Sequence, residues 1–244
     1  MKSRATALIA GILAVLAMGS TAQADEFEID GHHLKIETID GYCAVGHTDP
    51  ADKLLYGIAD EAGRGVVRTL SYQGDCAALN RFRKDRSLKS DVEPSLLFQI
   101  TLVEGKETAL PVTREKFLEI METVLKGQYG DEIYTLAKQG MTAAVARLKE
   151  KMGSAMAGVT MTDVQVLGIV DRDDFGVYIG IVQTYDNNGA SYVIAGVGAT
   201  TIVNGLPLTV TRTDLYSGPE QFPTLTAEVK RVLRELVALN EGNI

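Results

Sequence analysis

The chain of 244 residues carries 24 Lys and Arg against 32 Asp and Glu, a formal net charge of −8. That acid excess opposes non-specific binding to nucleic acid and to anionic lipid head groups, and its two cysteines lack the close C-x-x-C spacing of a redox or zinc pair. The length suits one generous domain or two small ones, and no Pro/Gly/Ser-rich linker divides it, which favours one.

The N-terminus has the three parts of a secretory signal. Lys2 and Arg4 form a basic region, Ala5 to Met18 is an apolar run of 14 residues, and Ala22-Gln23-Ala24 offers small residues to a signal peptidase. The run is shorter than the roughly 20 residues that span a bilayer. Cleavage after Ala24 is expected, and no cysteine follows it to carry a lipid anchor. The expectation is therefore a soluble exported protein without stable membrane insertion, in a bacterial periplasm. Its mature part, residues 25–244, keeps 22 basic against 32 acidic residues, a net charge of −10. In an oxidising compartment the even pair Cys43 and Cys76 reads first as a disulfide. Closing a loop between positions 33 apart contributes roughly 3–4 kcal/mol on the chain-entropy account.

Asp30-Gly31 and Asp40-Gly41 punctuate two short extended runs, His33 to Ile39 and Tyr42 to Gly46. Leu34, Ile36 and Thr38 alternate with His33, Lys35 and Glu37, which predicts a strand with one wet face. Asp49-Pro50 starts a helix with an acidic N-cap and a proline where no N–H is needed, and Gly63 or Gly65 can stop it. Val66 to Gln73 reads as a strand, and Asp75 can cap a short helix carrying Cys76, Leu79 and Phe82. Arg81, Arg83, Lys84 and Arg86 form the one dense basic cluster. Without accompanying aromatics or further basic stripes it reads as a solvated helix end, its cations near the negative pole of the dipole. Ser95 to Val103 follows as a strand. Thr113 caps a helix lined by Phe117, Ile120, Met121, Val124 and Leu125, and a longer helix spans Asp131 to Met152 with Ile133, Leu136, Ala137, Met141, Ala144, Val145 and Leu148 on its buried side.

Val164 to Val170, Val177 to Tyr185, Ser191 to Val203 and Leu206 to Tyr216 then read as a four-stranded antiparallel meander. Asn188-Gly189 and Asn204-Gly205 supply the positive-φ residues that two-residue primed turns demand. The first two of these strands are apolar on both faces, which predicts central positions. Leu206, Leu208 and Val210 alternate with Pro207, Thr209 and Thr211, which predicts a more exposed last strand. Pro223 ends the sheet region and Thr226 caps a terminal helix with a stripe of Val229, Val232, Leu233, Leu236 and Val237. The expected class is α+β, a largely antiparallel sheet covered by helices in an α/β/α sandwich-like arrangement. The segment from Val193 to Leu239, a long hairpin turned at Asn204-Gly205 followed by a closing helix, resembles the end of Mog1/PsbP-type α/β/α sandwich proteins. The resemblance implies a binding or assembly role.

His32, His33 and His47 fall within 16 residues beside Cys43 and Asp49. Neighbours in a strand project to opposite faces, so the candidate metal set is His33, His47 and Asp49, against a default of exposed turn histidines. Met141, Met152, Met156 and Met161 suit Cu(I) by softness, although methionine on an apolar helix face is usually core filler. Asp171, Asp173 and Asp174 crowd a turn but lack the Gly and Glu spacing of a calcium loop. Gly196-Val197-Gly198 lies inside a predicted strand, so the dinucleotide reading fails on context. No Gly-x-Ser-x-Gly elbow is present. The sequence indicates no cofactor. It points to a protein that binds an envelope partner or a small ligand, with a metal-dependent or acid–base hydrolase using His47 and nearby carboxylates as the alternative.

Overall fold

The computed structural model describes residues 24–85, 93–127, 130–153 and 158–242. The segment read as an export signal lies outside them, apart from Ala24, as do Arg86, Met156 and the side chains of Ile133, Leu136, Ala137 and Met152. The class is α+β, as the patterning predicts. Seven antiparallel strands form one sheet: β3 (Tyr42–Ala44), β4 (Val67–Asp75), β5 (Ser95–Thr101), β6 (Val159–Arg172), β7 (Val177–Asn187), β8 (Ala190–Val203) and β9 (Leu206–Leu215). Their order is β3-β4-β5-β9-β8-β7-β6. A separate hairpin pairs β1 (Ala24–Ile29) with β2 (His32–Glu37). The strand expected from His33 thus finds its partner in a segment the sequence reading left unassigned. Asp30 and Gly31, at φ 51° and 77°, turn this hairpin.

Both Asn-Gly turns of the meander are where the sequence puts them, with Asn188 at φ 55° and Asn204 at φ 50°. Asn204 does more than turn the chain. Its side-chain amide donates to the carbonyls of His33 (2.9 Å) and Asn240 (3.3 Å), tying the β1–β2 hairpin and the C-terminal helix to the β8–β9 turn. Asn204→Ala is expected to destabilise by roughly 1–2 kcal/mol more than Asn188→Ala, because both variants strain a left-handed residue but only the first strips partners from two carbonyls. Parallel urea unfolding of the two variants checks this, and equal losses would reduce Asn204 to a turn residue.

Within the meander β7 lies inside the sheet as expected, between β6 and β8, but the first and last strands exchange their expected places. β9 lies in the middle of the sheet, paired with β8 on one side and with β5 on the other, where Val210 faces Phe98. β6, expected to be central, is an edge strand on which Leu167 is 46% and Val170 38% exposed. The cause is long-range pairing: β5, more than a hundred residues upstream, docks on β9 and covers it. β6 packs against the helices Arg114–Lys126 and Gly130–Met152, with Val164 buried and Ile169 beside the Leu118 and Leu125 cluster, while Leu167 and Val170 remain exposed.

Five helices complete the structure. In α1 (Pro50–Ala62) the Asp49 carboxylate accepts from the Ala51 N–H at 2.7 Å and Pro50 occupies the first turn. Asp75 likewise accepts from Ala78 at 2.8 Å at the start of α2 (Cys76–Asp85). The basic cluster is not simply solvated. Arg83 reaches back to the buried Asp52 with two bonds, 2.8 and 2.7 Å, and donates to the Ala44 carbonyl at 3.1 Å, so it locks α2 to α1 and β3. In α3 (Arg114–Lys126) Thr113 caps as expected, but the buried stripe runs through Leu118 and Leu125 with Phe117 and Met121 at its margins, leaving Ile120 45% exposed. α4 (Gly130–Met152) buries Ala144 and Leu148. α5 (Gln221–Glu241) starts earlier than expected. Thr226 is buried inside it, and Pro223 sits in its first turn, where a missing N–H costs no intrahelical bond. Its stripe from Val229 to Val237 packs on Val197, Leu208 and Val210 and forms the main core.

Candidate functional site

Alternation along the strands gives the sheet two unlike faces. Leu96, Phe98, Ala195, Val197, Val210 and Arg212 point toward α5, where the core is closed. The opposite face presents Tyr72, Ser95, Leu97, Gln183, Tyr185, Tyr192, Ile194 and Thr213 to a cleft of about 810 Å³, roofed by Leu55, Ile58 and Ala59 of α1 and by Met141, Ala144 and Leu148 of α4. This lies within the range of small-molecule sites. A smaller hollow of about 250 Å³ between Ile36 of β2 and α5 has a charged rim whose Arg231 and Glu235 pair with each other.

The roof is held by one carboxylate. Glu61 of α1, 2% exposed, receives Arg64 at 2.5 Å from the turn just past its own helix and Arg147 and Lys151 of α4 at 3.2 and 3.3 Å. Burial pushes its carboxyl up, but hydrogen bonds from Lys151 and Arg64 outweigh this and hold it below the usual range. Disulfide Cys43–Cys76, with Cα atoms 4.9 Å apart, ties β3 to the first residue of α2 and so closes the loop that carries α1 and β4. The floor is shaped by a glycine: a methyl at Gly196 would meet Ile181 and Thr213 at 3.1 Å, so the bare backbone leaves room for both neighbours.

One charged side chain, Glu93, lines the cleft among the described residues. It precedes β5 and is half-buried. Thr213 donates to its Oε2 at 2.8 Å, and Thr213 Oγ1 lies 2.7 Å from the hydroxyl of Ser95, its register partner. Ser95 is also hydrogen-bonded to Tyr72. Burial pushes the Glu93 carboxyl up to about 7, against the lowering effect of the Thr213 and Ser95 hydrogen bonds and of the Arg212 charge, with Asp214 adding to the rise. Arg212 does not enter the cleft: it is 5% exposed on the α5 face, paired with Glu228 at 2.7 Å and Asp214 at 3.1 Å. Tyr185 and Tyr192 stack nearby on adjacent strands, ring centroids 5.4 Å apart.

The residues singled out from sequence lie elsewhere. His33 is exposed on β2, and its carbonyl takes the bond from Asn204. His47 is exposed before α1 with its ring 4.2 Å from that of Tyr56, while Asp49 is spent on the cap of α1. Among the described residues no three His, Cys, Asp or Glu side chains gather as a metal site would require. The Asp171–Asp174 turn is laced by protein cations: Lys230 reaches Asp171 at 2.6 Å and Arg234 reaches Asp173 at 3.4 Å, while the Tyr178 hydroxyl donates to Asp173 at 2.9 Å. Met141 and Met161 both line the cleft, where they supply apolar surface. Glu93 escaped the sequence reading because a single glutamate before a proline carries no motif; only the pairing of Ser95 with Thr213 gives it its setting.

No family model matches the chain, and no curated protein does. Among solved structures it is similar to cyanobacterial PsbP (CyanoP) from Synechocystis sp. PCC 6803, at 11% identity over 93% of this chain and 97% of that one, with a TM-score of 0.31. This is a weak likeness at the level of the fold. No helix among the described residues is long and apolar enough to cross a membrane.

Proposed function

We propose that this protein works by binding a small apolar ligand in the cleft between the sheet and the α1–α4 roof, as a single exported domain of the periplasm. The observation that carries the reading is the cleft itself: about 810 Å³, walled by aliphatic and tyrosine side chains, with one carboxyl, Glu93, held by the hydroxyls of Ser95 and Thr213. The disulfide suits an oxidising compartment.

A neutral apolar dye such as Nile red should bind the full-length mature chain with one-to-one stoichiometry. Val145→Trp, which places an indole at the roof beside Ala144, should weaken dye binding at least tenfold while leaving the circular dichroism spectrum and thermal midpoint close to those of the parent. Native mass spectrometry of protein purified gently from its own compartment should show a non-covalent mass that denaturation removes. Failure of the dye to bind, together with a bare polypeptide mass, would overturn the reading.

A further inference from the structure

The cleft's charge content says more about its ligand than its volume does. Its apolar walls would accept almost any hydrocarbon body, so selectivity rests on the few groups that can recognise a head. Those groups are Glu93, the hydroxyls of Ser95 and Thr213 that bond with it, and the rings of Tyr72, Tyr185 and Tyr192, since the lining amides are spent within the protein, Gln183 on Tyr185 and Asn188 on Asn187. No Lys or Arg lines the cleft among the described residues: Arg212 is committed to Glu228 and Asp214 behind the sheet, and Arg147 of the roof to Glu61. Among the described residues an anionic head would therefore meet a carboxylate and no lining cation. A positive head would meet a countercharge and π faces, the combination by which proteins hold ammonium groups.

We propose, building on the cleft as a ligand site, that its ligand is an apolar cation: an amine or quaternary ammonium on a hydrocarbon body, with its head against Glu93 and the tyrosine rings. A free amine suits the site better than the head group of a phospholipid, whose phosphate would find no basic side chain among the described lining residues. Glu93 is then the specificity-determining residue, and the aliphatic roof contributes affinity without selectivity.

Displacement of Nile red from the mature protein at pH 8 tests this with four probes of equal chain length, each below its micellar concentration: decyltrimethylammonium, decylphosphocholine, decanol and decanoate. Decyltrimethylammonium should bind at least tenfold more tightly than decanol, decanoate more weakly than decanol, and decylphosphocholine more weakly than decyltrimethylammonium. Glu93→Gln should bring decyltrimethylammonium to within about threefold of decanol, by weakening the cation far more than the alcohol. If all four probes displace the dye without preference, or decanoate is the tightest, the cleft is a ligand site but the cationic assignment is wrong. Decylphosphocholine binding as tightly as decyltrimethylammonium would overturn the free-amine source in favour of a lipid head group. If no probe binds and the dye does not bind either, the cleft reading itself falls and the cation assignment falls with it.

Discussion

Replacing Cys43 and Cys76 together with serine is expected to lower folding stability by roughly 3–4 kcal/mol. The bridge joins residues 33 positions apart, and in the unfolded chain that closure removes conformations which the open chain would otherwise explore. The effect is not confined to the unfolded state. β3 is three residues long and pairs with β4 alone at the edge of the sheet, a strand with few bonds of its own. Without the bridge it relies on Arg83, which spans Ala44 and the buried Asp52. Urea unfolding should show the midpoint falling and the slope rising somewhat, because the unbridged unfolded chain exposes more surface, and the thermal midpoint should drop by roughly 10 °C for a chain of this size. A reductant should produce a comparable fall in the parent and none in the serine variant. An unchanged midpoint would mean that the loop from Cys43 to Cys76 gains nothing from closure.

The parts of this fold that were legible in the sequence are those decided by neighbours in the chain. Asp49-Pro50 starts α1 because the cap and the proline act within one turn, and Asn188-Gly189 and Asn204-Gly205 turn hairpins because positive φ is a local demand. Strand order is decided by partners far away. The alternation of Leu206, Leu208 and Val210 looks like an edge until β5 arrives to cover it, and the apolar run of β6 looks central although no strand pairs beyond it. The site follows the same rule. Residue types with familiar chemistry, His33, His47 and Asp49, sit on an exposed hairpin strand, in the loop before α1 and at its cap, whereas the cleft is assembled from Tyr72, Glu93, Thr213 and Tyr185, which lie on four different segments. No spacing in the chain connects these four. What did carry over is the disulfide, because two cysteines in one chain have one pairing open to them.

Glu93→Gln is expected to make the ligand-free protein more stable at pH 8, by roughly 2–3 kcal/mol, and to leave it about equally stable at pH 5. The carboxyl titrates near 4.5 when solvated and near 7 in the cleft, chiefly through burial. A raised acid holds its proton in the folded state over a window where the unfolded chain has released it. Stability from this group is therefore complete below about 4.5 and is lost as pH rises through about 7. Glutamine keeps an oxygen that can accept from Thr213 but has no proton to lose, so the difference between the two proteins isolates this one titration from all the other carboxylates. The groups that set the window are Thr213 and Ser95, which favour the ionised form by hydrogen bonding, Arg212, which favours it by charge, and Asp214, which opposes it. Urea unfolding of both proteins at half-unit steps from pH 5 to 8 measures the curve; a difference flat across that range would show that Glu93 titrates as a solvated carboxyl. A decyltrimethylammonium head bound beside the carboxylate should reverse the comparison, because it stabilises the ionised form that burial disfavours. At pH 8 saturating ligand should then raise the midpoint of the parent well beyond that of the glutamine variant, by the differential affinity for the two folded proteins. A carboxyl that weakens the empty protein and strengthens the filled one is the behaviour expected of a residue placed for its ligand and not for the fold.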